Sequence, residues 1–123
     1  MTAMETVEAW DRSLRAGDWP PARALLADDA TYTTLEAPED HRVACTSAEQ
    51  IIELMRSWKG QLPDVQVVDW EVVGDKVVAR LHQPAFGDDA DWFQVLAVLD
   101  GLIAGLEDYP DRESALHAAG RGI

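Results

Sequence analysis

The fold of this chain is decided by residues 65–109, which read VQVVDWEVVGDKVVARLHQPAFGDDADWFQVLAVLDGLIAGLEDY. Apolar and polar residues alternate along much of this stretch, and this period of two is typical of β-strands. We predict four strands, at 65–73, 76–86, 92–99 and 102–109. Gly74-Asp75 and Asp100-Gly101 suit two-residue hairpin turns, and an acidic loop at 87–90 joins the middle pair. The stretch therefore predicts an antiparallel meander.

The residues before the meander predict helices and one short strand. Apolar residues three and four apart over residues 7–14 indicate a helix that ends at Gly17. A second helix follows at 20–27, where two prolines are tolerated in the first turn. The β-branched and aromatic residues at 30–35 predict a strand.

Two further helices flank the meander. The pair Thr46 and Glu49 has the spacing of a capping box, which predicts a third helix that ends near Gly60. Asp111 is expected to cap a short C-terminal helix at 112–119. The order of elements indicates the α+β class, with helices gathered on one face of a curved sheet.

Length and composition restrict the class of protein. The chain has 123 residues, which predicts a single domain over 1–123. One cysteine, Cys45, excludes an internal disulfide. We expect a cytoplasmic protein, because no apolar run approaches a membrane span and the N-terminal residues do not resemble a signal peptide.

The charge of the chain argues against anionic partners. Asp and Glu number 23 against 10 Lys and Arg, which gives a formal net charge of −13. A nucleic-acid binder needs a basic stripe to face the phosphates, and anionic membranes have the same requirement. We therefore predict neither a nucleic-acid nor a membrane partner.

Counting residues across the hairpin turns assigns side chains to faces of the sheet. The two turns place Asp69 opposite Arg80 and Phe93 opposite Asp108, and His82 shares the face of Arg80. This face also carries many apolar residues, which favours the lining of a cavity. The alternative is a solvent-exposed face on which the pair of Asp69 and Arg80 is an ordinary ion pair.

Aromatic residues provide further candidates. Tyr32 lies on the first strand, where it is expected either to donate a hydrogen bond into the cavity or to be half-buried with its hydroxyl in solvent. Trp58 lies on an apolar helix stripe, which favours core packing, and it is also a candidate ligand contact. Trp70 and Trp92 fall on the face opposite Arg80, where we expect a subunit interface.

Three local patterns, taken in order along the chain, resemble the nuclear transport factor 2-like superfamily. They are the opening Gly17-Asp18-Trp19 with LLADDATY at 25–32, the turn LDGLI at 99–103, and the ending EDYPD at 107–111. Within the superfamily, the SnoaL-like proteins are the most similar. The resemblance implies a cone-shaped α+β barrel, a homodimer formed through the sheet, and a cavity for a small molecule.

Relatives of this family include limonene epoxide hydrolases, ketosteroid isomerases and polyketide cyclases. The hydrolases place an Arg-x-Asp pair on the third strand of the meander and a further Asp near the end of the last strand. The matching positions are Arg80, His82 and Asp108, so that a histidine replaces one carboxylate. The resemblance points to His82 as base and Asp108 as its orienter or partner acid. The register across the Gly74-Asp75 turn adds Arg80 as an electrostatic anchor held by Asp69. Tyr32 resembles the hydrogen-bond donor of the isomerases.

Two functions follow from these expectations. The first is a cofactor-independent acid–base enzyme, an isomerase, cyclase or hydrolase, that acts on a small and mostly apolar substrate with Phe93 and Trp58 among its contacts. The second is a non-catalytic module of the same fold that binds a ligand or serves for dimerisation. Fold alone does not decide between them.

Overall fold

The computed structural model describes residues 2–34, 44–61, 65–83 and 91–120. The acidic loop expected at 87–90 lies outside the described residues, as does the end of the strand expected at 76–86. None of the helices in the described ranges is long and apolar enough to cross a membrane.

Four helices and six strands make up the described fold. In chain order they are α1 (Ala3–Ala16), α2 (Trp19–Ala24), β1 (Leu26–Thr34), β2 (Ala44–Cys45), α3 (Ala48–Gln61), β3 (Gln66–Val73), β4 (Lys76–His82), β5 (Trp92–Leu99), β6 (Leu102–Tyr109) and α4 (Arg112–Gly120). They form one curved, open sheet in the order β2-β1-β6-β5-β4-β3. The α+β class and the meander β3–β6 are confirmed, and β1 extends the sheet by pairing parallel to β6.

The first strand is longer than predicted, and the helix before it is shorter. α2 ends at Ala24, and the backbone N–H of Ile103 donates to the carbonyl of Leu25 at 2.7 Å. Leu26 is then already paired with Ile103 of β6. The strand therefore begins at Leu26 because the edge of β6 is available for pairing at that point. The sequence of residues 25–29 alone does not indicate this pairing.

Helix ends follow local capping. The hydroxyl of Thr2 accepts from the N–H of Glu5, and the carboxylate of Glu5 accepts from the N–H of Thr2, so that a full capping box begins α1. α3 is capped by Ser47, one residue later than predicted, because Ser47 Oγ accepts from the N–H of Gln50 at 3.3 Å. Asp111 caps α4, as expected, by accepting from the N–H of Ser114 at 2.7 Å.

The sheet is covered on both faces. The inner face is the one covered by α1, α2 and α3, and its core includes Tyr32, Leu81, Leu96, Ile103 and Leu106. The outer face carries a smaller core formed with α4, which includes Val78, Val95, Tyr109, Ala115 and Ala119. Burial of both faces thus follows from helices of the same chain. α1, α2 and α3 cover the face of Trp70 and Trp92, where a partner subunit was expected, and α4 packs on the face of Arg80 and Phe93.

Both predicted two-residue turns are present. Val73 pairs with Lys76, and Leu99 pairs with Leu102. In the second turn, Asp100 and Gly101 have φ values of 55° and 78°, the left-handed conformation that such hairpins require.

Two bulges interrupt the ladders of the meander. On β3, Val67 pairs with Leu81 and Asp69 pairs with Arg80, so that Val68 is an extra residue. On β5, the neighbouring residues Val98 and Ala97 pair with Ile103 and Gly105 of β6. Ala104 of β6 is therefore an extra residue. Because side chains alternate between faces, each bulge reverses the faces of the residues beyond it.

Candidate functional site

A pocket of about 270 Å³ lies between the inner face of the sheet and helices α1, α2 and α3. Apolar side chains dominate its lining, and four of the five tryptophans of the chain are among them. The lining residues are Trp10, Asp11, Leu14, Arg15, Trp19, Tyr32, Met55, Trp58, Lys59, Val65, Val67, Leu81, Gln83, Trp92 and Gln94.

The buried side of the pocket, here called its floor, contains three polar side chains. Tyr32 is 1% exposed, and Gln83 and Gln94 are also buried. The ring of Trp58 meets the ring of Tyr32 edge to face, with centroids 5.9 Å apart and an interplanar angle of 72°. Such packing fixes the phenol ring, so that its hydroxyl has a defined direction.

A hydrogen-bonded triad links this floor to a carboxylate. The hydroxyl of Tyr32 donates to Oδ2 of Asp108, and Nε2 of Gln94 donates to Oδ1 of Asp108 at 2.9 Å. Gln94 and Asp108 are direct neighbours across β5 and β6. Asp108 does not itself line the pocket among the described residues, so Tyr32 and Gln94 stand between it and the open volume.

Burial changes the acid–base properties of this triad. Desolvation raises the pKa of Asp108 from 3.8 to about 6, although the hydrogen bonds from Tyr32 and Gln94 act to lower it. Burial, followed by the charge of Asp108, raises the pKa of the Tyr32 hydroxyl well above its ordinary value. Tyr32 is therefore a protonated donor near neutral pH, whereas the pKa of Asp108, about 6, lies below neutrality.

Charged side chains occupy the open side of the pocket, here called its rim. Arg15 pairs with Asp11 one helical turn earlier, at 3.1 Å. Nζ of Lys59, on α3, donates to the carbonyl oxygen of Arg15 at 2.9 Å, at the C-terminal end of α1. These contacts are solvent-exposed, so the rim is polar while the floor is largely apolar.

A second polar cluster lies on the outer face. Oδ1 of Asp91 contacts Nδ1 of His82 at 2.7 Å, and Oδ2 contacts the guanidinium of Arg80 at 2.7 Å. The hydrogen bond to His82, followed by that to Arg80, lowers the pKa of Asp91. The partner of Arg80 is thus Asp91, which immediately precedes β5.

The expectation that His82, Arg80 and Asp108 share one face is wrong. The extra residue Ala104 moves Asp108 from the predicted position opposite Phe93 to the position opposite Gln94 on the inner face. Arg80 and His82 remain on the outer face. The sheet itself therefore separates the two groups that were expected to act together.

Two other predicted contacts also lie away from the pocket. Asp69 is paired with Arg80 in the ladder, as predicted, but its exposed carboxylate accepts from the N–H of Trp70 at 2.9 Å instead of holding the guanidinium. Phe93 shares the outer face with Arg80, where it packs against the core formed with α4. Of the predicted ligand contacts, Tyr32 and Trp58 line the pocket.

Sequence reasoning missed Gln94, and it placed Trp92 on the correct face of the sheet but expected a subunit interface there. Gln94 is the one amide in an otherwise apolar strand, and a lone polar residue in such a strand is a signal that could have been used. Trp92 lines the pocket instead of a subunit interface, because the helices cover the inner face. No group of three or more His, Cys, Asp or Glu side chains suited to a metal ion occurs within the described ranges.

Comparison with known proteins gives a family and a set of folds. The SnoaL-like domain model matches residues 7–106. No curated protein matches the chain significantly.

Three solved structures illustrate the structural similarity. An LEH-like epoxide hydrolase of M. tuberculosis has 22% identity and a TM-score of 0.67, over 98% of this chain and 90% of that one. A hypothetical protein of Catenulispora acidiphila with a ketosteroid isomerase-like fold, in complex with trimethylamine, has 21% identity and a TM-score of 0.66, over 98% and 95%. A de novo designed protein with a curved β-sheet has 17% identity and a TM-score of 0.71, over 98% and 96%. At these identities the likeness concerns the fold alone.

Proposed function

Because this chain belongs to the SnoaL-like domain family, we propose that it binds a small, mostly apolar molecule in the pocket and carries out acid–base chemistry on it. The observation that carries this proposal is the triad of Tyr32, Gln94 and Asp108 at the floor of an apolar pocket. A titratable group with a shifted pKa beside a concave apolar site is typical of functional sites.

The geometry suggests how a proton would move. A substrate that reaches the floor meets the oxygen of Tyr32 before it meets Asp108. Tyr32 would accept a proton from the substrate, or from a water molecule beside it, while passing its own proton to Oδ2 of Asp108. The carboxylate thereby becomes a carboxylic acid, and the reverse transfer completes an isomerisation or cyclisation. A base with a pKa of about 6 is mostly ionised at neutral pH, as this step requires.

The experiment begins with a ligand screen. Small ketones, lactones and epoxides would be tested by tryptophan fluorescence, which reports on the pocket because four of the five tryptophans line it. Compounds that bind would then be tested for turnover by the unmodified protein and by Tyr32→Phe and Asp108→Asn.

We expect both substitutions to lower kcat by about 10²–10⁴-fold, the usual range for loss of a general acid or base. Tyr109→Phe is the matched control, because Tyr109 adjoins Asp108 in sequence but belongs to the outer-face core. The activity of the unmodified protein should rise with pH through about 6. Full activity of Asp108→Asn would contradict the catalytic assignment.

A second function, ligand binding without catalysis, is favoured by one observation. Both oxygens of Asp108 are already engaged by Tyr32 and Gln94, and the carboxylate stands behind the pocket wall. Binding of screened compounds with no turnover under any condition would support this function and contradict the enzyme.

The homodimer and the cytoplasmic location are further parts of the proposal. The edge strand β3 exposes Val68 and Val72, which are 53% and 54% exposed, and such an edge can pair with a second copy. Light scattering of the purified chain would give twice the mass of 13.6 kDa for a dimer. A single mass of one chain at all concentrations would contradict it.

A further inference from the structure

We propose that the pocket selects a small alkylammonium cation, a quaternary ammonium or a protonated tertiary amine with apolar substituents. This inference rests on the proposed function in one respect only, namely that the pocket is a ligand site. It deepens that function by naming the chemical group that the pocket recognises.

The aromatic composition of the pocket carries the inference. Four tryptophans and one tyrosine line it, and they come from five different elements, α1, α2, β1, α3 and β5. They are Trp10, Trp19, Tyr32, Trp58 and Trp92. Aliphatic side chains would be sufficient to enclose a purely apolar ligand. Indole rings add an electrostatic attraction for cations, which strengthens when water is excluded.

The charges around the pocket favour the binding of a cation. The ionisable group behind the floor is the acid Asp108, and no basic residue lies among the described buried residues of the floor. At the rim, Arg15 is neutralised by Asp11 at 3.1 Å. Lys59 at the rim repels a cation, but its ammonium lies on the open side of the pocket, where solvent and salt screen it, and it donates to the carbonyl oxygen of Arg15 at 2.9 Å. The net charge of −13 attracts cations to the whole molecule.

The size of the pocket restricts the ligand. A volume of about 270 Å³ is at the small end of ligand sites. It suits an ammonium head group with a short substituent. The partly open rim, where the exposed pair of Asp11 and Arg15 lies, leaves room for a polar tail on the same molecule.

The test compares two compounds of the same shape and different charge. One compound is choline, and the other is 3,3-dimethylbutan-1-ol, the neutral alcohol in which a carbon atom replaces the nitrogen. Each would be titrated into the protein, and calorimetry would measure its Kd. We expect choline to bind at least about tenfold more tightly, which corresponds to about 1.4 kcal/mol. Equal or tighter binding of the neutral alcohol would overturn the inference while leaving an apolar ligand pocket in place.

If neither compound binds, the inference is also overturned, and the screen of ketones, lactones and epoxides decides the proposed function separately. The readout in variants is the ratio of the two affinities, because loss of shape affects both compounds alike. Trp58→Leu should reduce the ratio towards one, and Trp19→Leu, on α2, provides a second test if the first variant does not fold. Trp70→Leu is the matched control, because Trp70 does not line the pocket. An unchanged ratio in folded pocket variants would contradict the inference.

Discussion

Asp108 is a carboxyl group that folding makes harder to ionise. Its pKa rises from 3.8 to about 6, chiefly because the side chain is removed from water. Between these two pH values the folded state binds a proton that the unfolded state has lost. The free energy of unfolding therefore falls as pH rises from about 4 to about 6, and the loss persists above pH 6.

We predict that Asp108→Asn stabilises the protein at pH 7.5 by about 1–3 kcal/mol, since a shift of about two pKa units corresponds to about 3 kcal/mol. An asparagine keeps the shape and can still bond to Tyr32 and Gln94, but it carries no charge. The gain should vanish below about pH 3, where the carboxyl is protonated in both states. Urea unfolding at the two pH values measures the difference.

Asp91 provides a control in which the predicted change in the free energy of unfolding has the opposite sign. Its pKa is lowered by the hydrogen bond from His82 and then by Arg80, so its contribution to stability is present above the unfolded pKa and is lost as pH falls. Asp91→Asn should therefore destabilise the protein at pH 7.5. If Asp108→Asn were destabilising at pH 7.5 and neutral below about pH 3, burial would not be the dominant influence on that carboxyl.

At the scale of elements, periodicity and turn chemistry were sufficient for most of the sheet. The two hairpin turns were predicted because Gly74-Asp75 and Asp100-Gly101 are turn dipeptides. The bulges were not, because Val68 and Ala104 are ordinary strand residues whose extra position arises only from pairing with a neighbouring strand. One extra residue, Ala104, was sufficient to place Asp108 on the other face.

The end of α1 provides a test of how an element positions the rim. Gly17 has a φ of 67°, and its N–H donates to carbonyls at the end of the helix. A Cβ at this position would lie 3.2 Å from Cε of Lys59, which crosses over the glycine on its way to the Arg15 carbonyl. We predict that Gly17→Ala lowers the free energy of unfolding by about 1 kcal/mol, mainly through the left-handed backbone.

Gly60→Ala is the matched substitution for this prediction. Gly60 lies inside α3, and a Cβ there would meet nothing within 4 Å. Alanine should stabilise the helix by up to about 1 kcal/mol. Urea unfolding of both variants measures the opposite signs. If Gly17→Ala left the free energy of unfolding unchanged, the end of α1 would tolerate a side chain. The close approach of Lys59 to Gly17 would then not require a glycine.

At the scale of the whole molecule, the sequence predicted the family and the α+β fold but not the side of the sheet on which the pocket lies. The apolar content of both faces was correctly expected, and it was equally compatible with a pocket on either one. The decision depends on where helices dock: α1, α2 and α3 cover the inner face, and α4 covers part of the outer face. Docking is a property of the assembled chain, so Trp92 could not be assigned from its own strand.

The acidic composition has its effect at this largest scale as well. With 23 acidic and 10 basic residues, folding brings like charges together, and this self-repulsion is screened by salt. Apart from the pair of His82 and Asp91, the ion pairs in the described residues are at least partly exposed, such as that between Arg112 and Glu71 at 2.8 Å, and exposed pairs contribute about 0–1 kcal/mol each.

We therefore predict that Tm rises by a few degrees between about 0.01 M and 0.5 M sodium chloride, as the Debye length falls from about 30 Å to less than 10 Å. Calorimetry or circular dichroism measures this shift, and potassium chloride should give the same curve if screening is the cause. A difference between the two salts would indicate binding of a particular cation. A fall in Tm with salt would mean that the exposed ion pairs outweigh the repulsion, which would contradict the view that net charge dominates the electrostatics of this molecule.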